Sequence, residues 1–368
     1  LKLVFLVLAL TGVAALRTEA RTLRVPSTFG TLQAGVDAAV AGDTVLVAPG
    51  TYTGSGNRDV SFLGKGIVVR SELGPEQTIV DCQANADAPH RGFFFGTQEP
   101  PGTVLDGFTI VNGFMSTQPS KHDRIAHDLS AGGIKIQSFA SPTVRNCIVR
   151  NCGSEYTGGG ISIEFFSTPV LENLVVEGCF AGILGGGISV ETQASATVRG
   201  CLVTGNRAPI GGGMYSEVRL TLQDCVIAGN AATTRGGGLE LTFPANVTVT
   251  RTIVWGNCAP QGFGELYVGL ETTLALGCSV YDPSLVVVEV GGDLQAAGDN
   301  VTTAPRFCFP LVCTRAPIVG GDYTVQDGSP CLASQSPCGQ IIGSLGRGCG
   351  SQTPVTPTTW THLKSVFR

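Results

Sequence analysis

Charge is scarce in this chain. Only 14% of its 368 residues are Asp, Glu, Lys or Arg, against about 25% in an ordinary soluble domain. The apolar fraction of 43% excludes intrinsic disorder, which goes with many charges and few apolar side chains. The net charge of −5 argues against a nucleic-acid partner, which calls for a basic footprint. There are 2 tryptophans and 7% aromatics, so no sugar-stacking platform is evident. No two cysteines have CxxC spacing, which removes the usual zinc signature. No G-X-Y period appears, which excludes collagen. Beyond the first twenty residues, no apolar run approaches the about 20 that cross a bilayer.

Glycine is what the chain has in excess: 51 residues, and they are periodic. Glycine-rich triplets begin at Ala131, Gly158, Gly185, Gly211, Gly236 and Gly262, in steps of 25 to 27 residues. Repeats of this length mark stacked units, none of which can bury a core alone. Within each unit, short β-branched segments alternate with Gly, Asn, Pro and Ser, the pattern of strands and turns. At roughly 3.3 Å per residue a unit traces about 85 Å of path, one circuit of a three-sided coil.

Aligning the units produces columns. One reads Cys147, Leu174, Cys201, Cys225, Thr252, Cys278. Two residues on comes Val149, Val176, Val203, Ile227, Val254, Val280. Such columns suit parallel strands with a buried face. A turn column of Cys152, Cys179, Asn206, Asn230 and Asn257 is placed to hydrogen-bond along the stack. Asp106, Arg145, Glu172 and Arg199 form a column of alternating sign, expected to be structural.

Together these features resemble the right-handed parallel β-helix of the pectate-lyase-like superfamily, and in particular its secreted bacterial members. Residues 29–54, FGTLQAGVDAAVAGDTVLVAPGTYTG, look like that family's N-terminal cap, and VLDGFTIVNG like one of its early coils. The expected fold is all-β: a three-sided solenoid of roughly nine to ten coils with a short capping helix. Residues 1–20 read as a secretory signal peptide, the chain's one candidate anchor otherwise. The solenoid is expected over 21–300, with its cap at 21–55 and a loop insertion at 115–131. A cysteine-containing closing segment covers 301–350. Residues 351–368 form a Thr/Pro linker and a short tail helix, in which Trp360, Leu363 and Phe367 share a face; it either docks on a sorting partner or packs on the body.

The 13 cysteines in a chain read as exported invite disulfides. Cys147, Cys201, Cys225 and Cys278 are expected to point inward as small hydrophobes. Cys152 and Cys179, at one turn position on adjacent coils, are placed to bridge. Cys308–Cys313 and Cys331–Cys338 are the closest tail pairs, leaving Cys349 over.

The superfamily's catalytic patterns are missing: no GHG turn, no RIK segment and no WIDH segment occurs. Two local features remain. An outward column of Gln137, Glu164, Glu191 and Glu217, with Glu240 two residues out of line on the next coil, makes a carboxylate ladder. Consecutive coils lie about 4.8 Å apart, so the ladder either raises its own pKa values or holds a cation such as Ca²⁺; Glu164, Glu191 and Glu217 are the candidate ligands. The second feature is the insertion, with Lys121, His122, Asp123, Arg124, His127 and Asp128, running into the strand that carries Lys135. Long loops on rigid scaffolds carry function. Lys135, Arg124, His122 and His127 are the candidate catalytic groups. Lys121, Asp123, Asp128, Gln137, Tyr215 and Glu240 are candidates for substrate contact. Two functions follow: a secreted or surface protein that binds, and in its enzymatic form cleaves, an acidic extracellular polysaccharide; or a non-catalytic adhesin or envelope component.

Overall fold

The computed structural model describes residues 19–116, 129–260 and 264–349. The chain winds into a parallel β-solenoid. One coil shows the plan: Thr143–Arg145 lies in the first sheet, Ile148–Arg150 in the second, Gly153–Ser154 in a narrow fourth sheet at the corner, and Ile161–Ile163 in the third. The chain then returns to the first sheet at Val170–Glu172. Pairing follows the sequence repeat, with Thr143 beside Val170, Ile148 beside Val175 and Ile161 beside Ile188. The three main sheets hold eleven, eight and nine strands and the corner sheet five. Full circuits therefore number about eight, fewer than expected, because the end coils lack a strand in one sheet or another.

Strands are only two to five residues long because the corners are abrupt. Asn146 and Asn151 each take a positive φ, of 54° and 52°, turning the chain within one residue; Asn tolerates this conformation better than most side chains. The triplets work differently. The first residue of each described triplet is left-handed, with φ of 58° at Ala131, 59° at Gly158 and 61° at Gly185. A side chain on the second, Gly159, would collide with the carbonyl of Phe180. Three glycines thus let the backbone press against the neighbouring coils.

The interior is a continuous apolar column. At the turn, the expected ladder forms: Asn206 Nδ2 donates to Asn230 Oδ1 (3.0 Å), and Asn230 Nδ2 to Asn257 Oδ1 (2.9 Å). It ends on a carboxylate, Asn257 Nδ2 donating to Glu265 Oε2 (3.1 Å). On the first sheet, Arg145 pairs with Asp106 and Arg199 with Glu172, as the alternating column implies. The open N-terminal end is closed by a helix, Leu32–Ala38, whose first turn is capped by Thr31 accepting from Ala34 N (3.2 Å). That helix lies close over Val25 and Val45, with room for only a hydrogen at Gly35. Among the described residues no helix is long and apolar enough to cross a membrane.

Residues 301–349 form a strap across the outside of the second sheet. Beneath it Ile148, Val175, Leu202, Val226 and Ile253 make a second apolar cluster with Phe307, Tyr323, Val325 and Ile342. Ile318 N donates to Gly205 O (2.9 Å), Gly320 N to Glu177 Oε2 (2.8 Å) and Gly343 N to Arg251 O (2.7 Å). The disulfides are Cys258–Cys313, Cys278–Cys338 and Cys308–Cys349. This corrects the nearest-neighbour pairing expected in the tail: the strap lies along the coils, so Cys313 and Cys338 meet coil cysteines, while Cys308 meets Cys349 within the strap. Cys278 is accordingly bonded, whereas Cys147, Cys201 and Cys225 are buried free thiols. Cys152 and Cys179 touch as unbridged thiols, and burial pushes Cys179 well up. Cys331 is free as well.

Candidate functional site

The outer face of the third sheet concentrates the polar chemistry. The middle residue of each three-residue strand points outward, and Lys135, Ser162, Ser189, Tyr215, Glu240 and Tyr267 stand in register along it. The residue just past each strand extends the ladder. Glu164 N donates to Ile136 O, Glu191 N to Ile163 O and Glu217 N to Val190 O. Gln137, Glu164, Glu191 and Glu217 therefore form a second outward column beside the first, and Glu240 stands in the first.

The face is sunk between two walls. On one side the left-handed glycines fold over the first column, Gly158 against Ser162 and Ser189, and Gly236 against Glu240. On the other are tight turns in which two successive residues have positive φ: Ser138 and Phe139, then Phe165 and Phe166. These turns throw phenylalanines outward. Phe139 and Phe166 are 57% and 45% exposed, and their rings stack 4.9 Å apart with planes 5° from parallel. Phe165 is exposed beside them. Composition gave no hint of this aromatic strip; the clue was positional, an SF or FF pair directly after the strands IKIQ and ISIE.

Electrostatics divide the carboxylates. Lys135, only 1% exposed, forms an ion pair with Glu164 Oε1 and lies 3.3 Å from Ser162 Oγ. Ser162 Oγ also donates to Glu164 Oε1 (2.6 Å). One coil on, Glu191 makes no ion pair among the described residues. Burial, with the nearby Glu164 charge and against the hydroxyls of Ser189 and Thr157 and the charge of Lys135, raises its carboxyl to about 7, and its buried Oε1 has no well-aligned hydrogen-bond donor among the described residues. Glu217 Oε1 accepts from Thr192 N (2.8 Å) and its Oε2 from the Tyr215 hydroxyl (3.3 Å); burial lifts Tyr215 to about 12. Glu240 is fully buried. Burial pushes it to about 8 even though Arg235 Nε donates to its Oε1 (2.7 Å). Arg235 in turn covers the Tyr267 ring at 4.9 Å, and the Tyr267 hydroxyl donates to Glu289. Arg235 and Glu289 were not among the candidates, since their roles depend on contacts between coils.

The structure thus brings together Lys135, Gln137, Glu164, Glu191, Tyr215, Glu217 and Glu240 on one face. Lys121, His122, Asp123, Arg124, His127 and Asp128 lie outside the described residues. The chain on either side of them is anchored, Ser116 Oγ donating to Ala86 O (2.7 Å) and Ser154 Oγ to Leu129 O (2.7 Å). Among the described residues, no three His, Cys, Asp or Glu side chains converge as a metal-ligand set. A shallow apolar hollow of about 470 Å³, lined by Phe180, Ala208, Pro209 and Pro317 among others, lies on the corner sheet.

Residues 111–215 match the family model of the right handed beta helix region. No curated protein and no solved structure matches the chain. That match covers less than a third of the chain and supplies the hand of the coil there; the parallel sheets extend the same register on both sides of it, so the fold is a parallel β-solenoid similar to the right-handed parallel β-helix and consistent with the pectate-lyase-like superfamily.

Proposed function

We propose that this protein is exported and binds a polysaccharide along the outer face of its third sheet. The observation that carries the reading is the stacked, exposed Phe139–Phe166 pair, with Phe165, bordering the column of Glu164, Glu191 and Glu217. Aromatic faces pack against the C–H faces of sugar rings, and carboxylates and amides accept the hydroxyl hydrogens around them. Repetition at coil spacing suits a repetitive polymer. The sequence alone suggested an acidic polymer. The face instead presents carboxylates and a lysine already ion-paired, so a uronic-acid chain meets like charge and a neutral one does not. Three disulfides and the apolar first twenty residues support export, because such bonds persist in oxidising compartments.

The test is affinity electrophoresis against neutral polymers (arabinoxylan, β-glucan, galactomannan, starch) and against polygalacturonate and alginate. At least one neutral polymer should retard the protein, and the Phe139→Ala/Phe166→Ala variant should lose most of that retardation. Retardation by polyuronides alone would overturn the charge argument. Retardation by no polymer would overturn the binding reading and leave an adhesin or envelope role.

A further inference from the structure

We propose that Glu164 and Glu191 are the nucleophile and the general acid–base of a retaining glycoside hydrolase acting on the neutral polymer bound at this face; the inference rests on the binding reading above. The two residues occupy the same position on adjacent coils, each directly following its strand, with Ile163 paired to Val190. Adjacent strands lie about 4.8 Å apart, which suits the roughly 5 Å carboxyl separation of a retaining mechanism.

Their surroundings differ in the way that mechanism requires. Lys135 Nζ and Ser162 Oγ both act on Oε1 of Glu164, so its Oε2 is left to attack. Glu191 makes no ion pair among the described residues, and burial and the Glu164 charge outweigh the pull of Lys135 to keep its proton on near neutrality. A second observation concerns the serine beside Glu191. Ser189 is wholly buried on the neighbouring outward column, and its Oγ, though near enough to Glu191 to favour the ionised carboxylate, makes no well-aligned hydrogen bond among the described residues. It stands two residues before Glu191, as Ser162 stands before Glu164. A hydroxyl without an acceptor in the resting protein gains one when Glu191 becomes a carboxylate, and buried polar groups left without partners call for such an explanation. Phe139 and Phe166 border the same two coils and would hold the sugar rings across the pair.

In the first step Glu164 Oε2 attacks the anomeric carbon. The glycosidic C–O bond breaks, its electron pair stays on the leaving oxygen, and that oxygen takes the proton of Glu191. The polymer is then an ester on Glu164. In the second step Glu191, now a carboxylate, takes a proton from water as the water oxygen attacks the same carbon. The ester bond breaks, Glu164 is restored and Glu191 regains its proton. Water is the only co-reactant.

The experiment uses the full chain with whichever neutral polymer of the panel retards it. Released reducing ends are measured, and proton NMR reads the anomer first formed. We expect new ends with retained configuration. Glu191→Gln and Glu164→Gln should each lower the rate at least about a hundredfold, in line with loss of a general acid, while Glu191→Gln still binds. Because Glu164→Gln leaves Lys135 without its carboxylate, Glu191→Ala with azide serves as a second measurement. Azide needs no general base, so with an aryl glycoside whose leaving group departs without a proton the rate should recover and a glycosyl azide of retained configuration should form. A polymer that binds yet yields no ends, or yields the inverted anomer, overturns the hydrolase proposal and leaves binding intact. Absence of binding to every polymer overturns both.

Discussion

Replacing Asn230 by Ala tests the turn ladder where it is densest. Asn230 is fully buried. Its Nδ2 donates to Val203 O (2.9 Å) and to Asn257 Oδ1 (2.9 Å), and its Oδ1 accepts from Asn206 N and Asn206 Nδ2 (3.0 Å each). Truncation leaves Asn206 N–H with no acceptor, at about 1–3 kcal/mol for a buried orphan. The Val203 carbonyl and the Asn257 and Asn206 amides each lose one of their bonds, at roughly 0.5–1.5 kcal/mol apiece. The sum is about 2.5–7.5 kcal/mol, a large share of the 5–15 kcal/mol that stabilises a typical protein. Asn230→Asp is the informative partner. It keeps the acceptor for Asn206 but turns lone pairs toward Val203 O and Asn257 Oδ1, so it should destabilise at least as much. Equilibrium urea unfolding followed by circular dichroism reads both as a lower midpoint at unchanged slope. A loss below about 1 kcal/mol for Asn230→Ala would refute the reasoning, by showing that water or a shifted backbone satisfies the stranded groups.

Two further outcomes are expected. Lys135→Met should cost about 3–5 kcal/mol, because it leaves the Glu164 carboxylate buried beside Ser162 alone, and the Lys135→Met/Glu164→Gln double variant should recover most of that loss; urea midpoints for the four proteins give the coupling, and a value near zero would mean the pair is solvated. Stability should also fall as pH rises from about 5 to 8. Burial raises Glu191, Glu240 and Glu265 to about 7, 8 and 7 in the fold, so the folded chain binds more protons than the unfolded one across that window, and the stabilisation present at low pH is lost as these groups ionise. Glu265→Gln, which keeps an acceptor for Asn257, should flatten part of the slope in urea midpoints taken at pH 5 and 8; an unchanged slope would remove Glu265 from the account.

Much of the solenoid was legible because stacking makes each coil repeat the constraints of the last. Val149, Val176 and Val203 share a column since all three fill the same interior, and Gly158, Gly185, Gly211 and Gly236 recur since the chain turns left-handed at the same corner of those coils. The carboxylate column, including the displaced Glu240, was readable from strand alternation alone. What stayed hidden depends on contacts without a period. Cys278 reads as one more inward cysteine, yet its partner lies in the strap, 60 residues on. The apolar row of Ile148, Val175, Leu202 and Val226 on the outside of the second sheet was the sign that something covers it. Phe139 and Phe166 were in view as residues, but their exposure arises from consecutive left-handed positions that few sequences announce. The neutralisation of Lys135 by Glu164 crosses coils diagonally, from the strand middle to the position past the next strand.

The strap changes how such a stack comes apart. In an array held only by neighbouring coils, ends fray first and disorder travels inward one unit at a time. Here the strap reaches back over several coils, touching Glu177, Gly205 and Arg251 and bonding covalently to Cys258 and Cys278. A coil near the C-terminal end cannot peel away unless the segment crossing it also lets go. The molecule is in effect buckled: residues 301–349 tie distant units into one event, and the stack becomes hard for a protease to open only once the buckle is oxidised.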